Sequence, residues 1–574
     1  MRLSISNKIL PLYSLLFIAF LASCTSPAVE EADIIFQNGD ILTMNDAQKE
    51  VEALAIKEGK ILAVGTLQSV GKHKGANTQI RDLNGGTLLP GFIDGHSHFS
   101  YAMRMLAQAN LSSPPVDVIQ NIPDIIERLK QHRDKFNIAE GGWLLGWGYD
   151  PDQLEEGRHP NRAELSAAFP DHPVFIRHAS FHMGVANDQA LAIAGIDEKT
   201  PDPPSGVIVR EKNSSKPNGL LQETAMGAVF PHLPKATAEQ LFQLVDAAQQ
   251  YYAGFGITTA QDGLTDSLAY AFLKEAAEKD VFYLDLEVLA SFRNVKSFIE
   301  NEKFDESHNR VRLTGLKVTT DGSPQGKTAF FKDPYLTEVP GCTEECRGYP
   351  MLTDQQLQEL VSICYTNDIQ LYVHCNGDAS IDMLLDMHQR VTDSLNLANN
   401  TQRTVVIHSQ FVREDQLDQY KTYGFIPSFF TNHAFFWGDT HLANLGTKRA
   451  NFLSPMKTAS SKGIIATNHT DYPVTPSDQL FLLWTSMSRT SRANKTLGEK
   501  ERLSAYEGLK ALTINGAYQH RCEDTKGSLE VGKWADLVLL DGNPTKVTTD
   551  EITALQVLET FKEGKTIFTR EKKN

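Results

Sequence analysis

Cysteine is scarce, six in 574 residues, so this chain is not a small scaffold held together by disulfides. Basic residues are also in deficit. Lys and Arg number 55 against 71 Asp and Glu, a formal net charge of −16, which excludes nucleic acid as a partner because phosphate binding needs a positive surface. No apolar stretch is long enough for a permanent membrane span. The N-terminal run from Ile9 to Ala22 is too short and is interrupted by Pro11, Tyr13 and Ser14. A G-x-S-x-G elbow is missing, which removes support for serine-hydrolase chemistry. The run from Gly322 to Thr328 looks like a phosphate loop but has one residue too few between its glycines. What is present is ordinary for a folded chain: 41% hydrophobic and 22% charged residues. The length suggests several domain-sized units, unless about 250 residues form one barrel.

Arg2 and Lys8 precede the N-terminal apolar run, the layout of an export signal. The run ends in Leu21-Ala22-Ser23-Cys24, which resembles the lipobox of bacterial lipoproteins. That resemblance implies a signal peptide over 1–23, a lipid on Cys24 and a tether over 24–31. The expected location is the cell envelope, on the periplasmic side or at the outer membrane, with Ser26 favouring the outer one. Cys342 and Cys346 lie in one loop and can pair in an oxidising compartment, whereas Cys364, Cys375 and Cys522 read as buried singles.

Short apolar runs broken by Asn38-Gly39 and Glu58-Gly59 mark hairpins in residues 32–87. The texture returns in 520–574, at Asp541-Gly542 and Glu563-Gly564. The two ends are therefore expected to build one β-sandwich. Residues 88–519 form the middle of the chain. Strands are expected at 87–94, 256–261, 283–289, 312–318, 370–375, 404–409, 424–429 and 463–467, with room for a helix in most gaps. This pattern predicts an α/β fold, a (β/α)8 barrel of the triosephosphate-isomerase type. The long first gap predicts a subdomain inserted after the first strand, at about 105–250.

Candidate chemistry collects at the carboxyl ends of these strands, where barrel enzymes keep their active sites. His96 and His98 are two apart, so on extended chain they point the same way and can reach one ion. An H-x-H pair alone is weak, because two nearby histidines are more often incidental than ligands. His374 and His408 each end an apolar strand, and Asp471 ends 463–471 with His469 two positions earlier on the same side. Four histidines and one aspartate at one barrel rim are hard to assign to packing.

The sequence resembles the amidohydrolase superfamily, in the long-insert branch that includes N-substituted formamide deformylases. The resemblance rests on Pro90-Gly91-Phe92-Ile93-Asp94-Gly95-His96-Ser97-His98, Gly256-Ile257-Thr258-Thr259, Lys317 with Asp321-Gly322, and Val373-His374-Cys375-Asn376-Gly377-Asp378. It continues through Ile407-His408-Ser409-Gln410, His469-Thr470-Asp471-Tyr472-Pro473 and the glycine-rich run from Gly527 to Asp536, spanning essentially the whole mature chain. It implies one or two divalent metal ions, zinc foremost, on His96, His98, His374, His408 and Asp471, with Lys317 carboxylated to bridge them. It also implies hydrolysis of a non-peptide carbon–nitrogen bond, with Asp471 as general base and then acid. The metal, or a nearby donor such as His374 or His433, is expected to polarise the carbonyl and stabilise the oxyanion. Trp147, Tyr149, Asp150, His182, His433 and Arg489 are the expected substrate contacts. Two alternatives stay open: deamination or ester cleavage by the same site, and a non-catalytic ligand-binding surface lipoprotein. The expected partners are a small-molecule substrate and the membrane through Cys24, with a homodimer left open.

Overall fold

The structure is a computed structural model that describes residues 29–571 apart from 180, 182, 205, 340, 341, 343, 399 and 400. The signal peptide, Cys24, most of the tether and His182 lie outside the described residues. Among the described residues, no helix is long and apolar enough to cross a membrane.

The central sheet has eight parallel strands in one path. They are Phe92–Ile93 (β1), Ile257–Thr265 (β2), Asp285–Ser291 (β3), Val311–Thr319 (β4), Gln370–Cys375 (β5), Val405–His408 (β6), Ile426–Phe429 (β7) and Thr467–Asn468 (β8). A parallel sheet covered on both faces buries its strands almost throughout, and β4 has seven of nine residues buried, Lys317 among them. Helices such as Ala238–Gly254 and Asp354–Thr366 pack against these strands, each started by a Thr/Gln capping box. The path curls. Among the described residues no ladder joins β8 to β1, but Asp471 N donates to His96 O and His98 N to Tyr472 O, each at 2.9 Å. Those bonds tie the two ends of the sheet together at its C-terminal rim.

Two expected strands change. The run 87–94 divides at Gly91: Thr87–Pro90 pairs with Leu537–Leu540, while Phe92 begins the central sheet. A Cβ on Gly91 would overlap the Thr258 side chain, so glycine permits the close crossing between sheets. The run 463–467 shrinks to Thr467–Asn468, because the helix Met456–Ser461 ends just before Gly463, whose φ is +75°.

Both chain ends contribute to a second sheet of eight strands, five from Ile34–Pro90 and three from Leu537–Thr569. Ile34–Leu42 and Val557–Lys562 are separated there by two strands, about 14 Å in a flat sheet. Yet the Phe36 and Phe561 rings are 5.5 Å apart, so the sheet folds back on itself around Phe36, Leu54, Leu88 and Leu537. In place of two stacked sheets, one sheet wraps its own core.

A third sheet of six strands, from Ala109–Asn110 to Pro217–Glu223, has cores of its own around Ile125 and Leu144 and around Phe175 and Leu221. The insert therefore ends before the expected 250. The helix Ala238–Gly254 buries Val245, Ala248 and Tyr252 in the central core instead.

Candidate metal centre

The rim of the central sheet gathers donor atoms from five strands. His96 and His98 follow β1, Lys317 lies in β4, His374 in β5, His408 closes β6, and His469 and Asp471 follow β8. His408 and Asp471 have φ of +70° and +53°, backbone that non-glycine residues occupy at a cost of about 1–3 kcal/mol and that concentrates at functional sites.

Asp471 Oδ1 stands 3.3 Å from His98 Nε2 and 3.6 Å from His96 Nε2. His374 Nδ1 lies 3.0 Å from His408 Nε2, and His408 Nδ1 lies 3.1 Å from His469 Nε2. Two sets, His96–His98–Asp471 and His408–His469–Asp471, each have ligand atoms within 4.8 Å of one another. A tetrahedral ion with bonds of about 2.0–2.1 Å spaces its donors about 3.3 Å apart, so this set fits a zinc-like cation. Charge agrees with geometry. Burial pushes the pKa of His96, His408 and His469 well down and that of His374 to about 3, with Lys317 and neighbouring imidazoles adding to it. Neutral rings leave lone pairs for a metal.

Polar groups behind the rings set their orientation. His96 Nδ1 donates to Gln261 Oε1 at 2.6 Å, which turns the Nε2 lone pair toward Asp471, and Gln261 is itself held by Gly95 O at 3.2 Å. His469 Nδ1 lies 3.1 Å from Ser428 Oγ. Asp321 accepts N–H bonds from Phe330, Asn376 and Gly377, and fixes the loop after β5. Lys317 is buried, with Nζ 3.1 Å from His96 Nε2. Desolvation lowers its pKa to about 7, against the pull of Asp471.

The expected substrate contacts divide. Trp147 is buried, donates from Nε1 to Met105 O, and its ring centroid is 6.3 Å from Tyr472, beside Asp471. Asp150 is half-buried, near His178 at 3.7 Å. His433 is buried one ring away from the cluster, its centroid 4.6 Å from Phe430, which in turn is 4.9 Å from His469. Two expectations are corrected. Tyr149 is fully buried in the insert's own core, with its hydroxyl on His159 Nδ1 at 3.0 Å. Arg489 is also fully buried and donates to the carbonyls of Leu453, Ser454 and Leu497, so it braces loops instead of meeting a ligand. Sequence reasoning left His469 out of the ligand set and missed Gln261 and Ser428. The alternation from His469 to Asp471 signalled the first; nothing local signalled the others.

Comparison with known proteins agrees with this geometry. The sequence profile described as the amidohydrolase family matches residues 79–568. An N-substituted formamide deformylase from Arthrobacter pascens is 26% identical over 551 residues, covering 93% of this chain and 97% of that protein. Protein LONG AFTER FAR-RED 3 from Arabidopsis thaliana is 27% identical, covering 99% of this chain and 97% of that one. The crystal structure of an uncharacterized metal-dependent hydrolase from Pyrococcus furiosus superposes with a TM-score of 0.70 at 23% identity, covering 89% of this chain and 100% of that one. With a match over most of its length and a rim of convergent imidazoles and carboxylate, the chain belongs to the amidohydrolase family.

Proposed function

We propose that this protein hydrolyses a carbon–nitrogen bond of amide or formamide type in a small molecule, at the rim of a (β/α)8 barrel. The observation that carries the proposal is the convergence of His96, His98, His374, His408, His469 and Asp471 at ligand spacing, in a buried to half-buried cluster. Likeness to a formamide deformylase along nearly the whole chain supports the choice of bond. One or two divalent cations, zinc foremost, would be held by residues of this set and supply Lewis acidity, which makes water acidic and a carbonyl electrophilic.

The chain's own groups do the rest. Asp471 takes a proton from the attacking water and delivers it to the leaving nitrogen as the new C–O bond replaces the C–N bond. Lys317, a buried amine, adds to carbon dioxide: an N–C bond forms, a proton leaves, and an anionic carbamate replaces a cation that would repel metal. Trp147 walls the approach from the insert. The enzyme is exported and anchored through Cys24, a reading that rests on the N-terminal sequence; the Cys342–Cys346 disulfide suits an oxidising compartment.

The test uses purified, zinc-loaded protein and a panel of an N-substituted formamide, a simple anilide, a carboxylic ester and an aminopurine. Turnover of the formamide or anilide is expected. Asp471→Asn should lower kcat by about 10²- to 10⁴-fold while elemental analysis finds the metal largely retained. Turnover of the ester or aminopurine alone, or full activity after chelation, contradicts the proposal.

A further inference from the structure

Two buried histidines stand beside the ligand cluster without joining it: His433, in the helix Asn432–Phe436, and His441, in the helix Gly438–Asn451. His433 Nδ1 is 3.1 Å from His441 Nε2, and the two ring planes agree within 1°. Parallel planes at this spacing are compatible with an N–H···N bond, since the proton and the lone pair both lie in the ring plane. Neither ring is charged. Burial holds His433 well below the usual imidazole range and His441 at about 3.

Two arrangements of the shared proton are open. If His433 Nδ1 donates, His441 must carry its own proton on Nδ1. That atom is buried, packed near the Phe411 ring, and among the described residues no group accepts from it. If His441 Nε2 donates, the same atom is only a bare lone pair. Buried N–H groups left unpaired are rarer in folded proteins than unpaired acceptors, so the second arrangement is preferred. The proton of His433 then sits on Nε2, which makes no hydrogen bond among the described residues, on a residue that keeps 4% of its exposure.

We propose that His441 is a positioning residue: it holds His433 in the Nε2–H tautomer, so that His433 offers a donor to the substrate's carbonyl oxygen beside Phe430. The donor's use rests on the hydrolase reading above. The tautomer does not, and it can be measured directly.

The decisive measurement is a long-range ¹H–¹⁵N spectrum of the zinc-loaded full chain labelled at histidine, with His433→Gln and His441→Gln assigning the signals. His433 protonated on Nε2 is the expected result. In kinetics with an N-substituted formamide, His441→Leu should lower kcat about 10- to 100-fold, a part of what losing an oxyanion donor outright costs, with KM and zinc content unchanged. His441→Gln, whose amide can donate from near the Nε2 position, should recover most of that loss. A proton on Nδ1 of His433, or equal losses in the Leu and Gln variants, overturns the proposal. Should His441→Leu fail to fold, the wild-type spectrum still decides. Should the wild type cleave nothing in the panel, the hydrolase reading fails while the spectrum still decides the tautomer.

Discussion

At His96 the outcome depends on the nitrogen that faces away from the cluster. Gln261 accepts from Nδ1, so Nε2 is left as a lone pair aimed at Asp471 and Lys317. Removing that acceptor frees the ring to rotate and to change tautomer. Gln261→Leu is therefore expected to weaken metal affinity about 10- to 100-fold, measured by competition with a chelator, while the fully loaded enzyme keeps much of its kcat. An unchanged affinity would remove Gln261 from the site. The contrast between these neighbours shows what a sequence reveals. His96 and His98 were legible because alternation along extended chain is a local rule. Gln261 was not, because its amide meets the ring across 165 residues.

At the scale of elements, the opposite end of β3 carries an ion-pair network that crosses between sheets. Asp285 accepts from Lys526 and Lys562, and Lys562 also reaches Asp536 at 2.6 Å, so one carboxylate joins the central sheet to the sheet of the chain ends. Burial alone would raise the Asp285 pKa, but the two lysines outweigh it and hold the carboxyl well below its usual range. A depressed folded pKa stabilises fully above the ordinary value of about 3.9 and loses that contribution as pH falls below it. Asp285→Asn, which leaves buried Lys526 without a carboxylate while Lys562 keeps Asp536, should cost about 3–5 kcal/mol near neutral pH by urea unfolding. The difference from wild type should shrink between about pH 5 and pH 3. A constant difference would show that the network is not stabilising through its charge. The strands themselves were readable as apolar runs. Their division at Gly91 was not, since a continuous run carries no mark of where it changes partners.

At the scale of the molecule, the described residues form three sheets, and the N-terminal segment lies outside them. The lipobox reading predicts that Cys24→Ala, expressed in a bacterium that processes lipoproteins, moves the protein from the membrane fraction to the soluble one and abolishes labelling with radioactive palmitate. A variant that still sediments with membranes and takes up label would contradict it. By itself the sequence determined the α/β class with its parallel sheet, the strand-end position of five ligand candidates and the sharing of one β-unit between both chain ends, because periodicity and strand-end position are local properties. Tertiary structure alone decided that Tyr149 and Arg489 face protein and not ligand, that His469 and Gln261 join the site, and that the insert stops before residue 250. Those outcomes depend on which distant group fills each buried donor or covers each apolar face, and burial is a property of the packed chain.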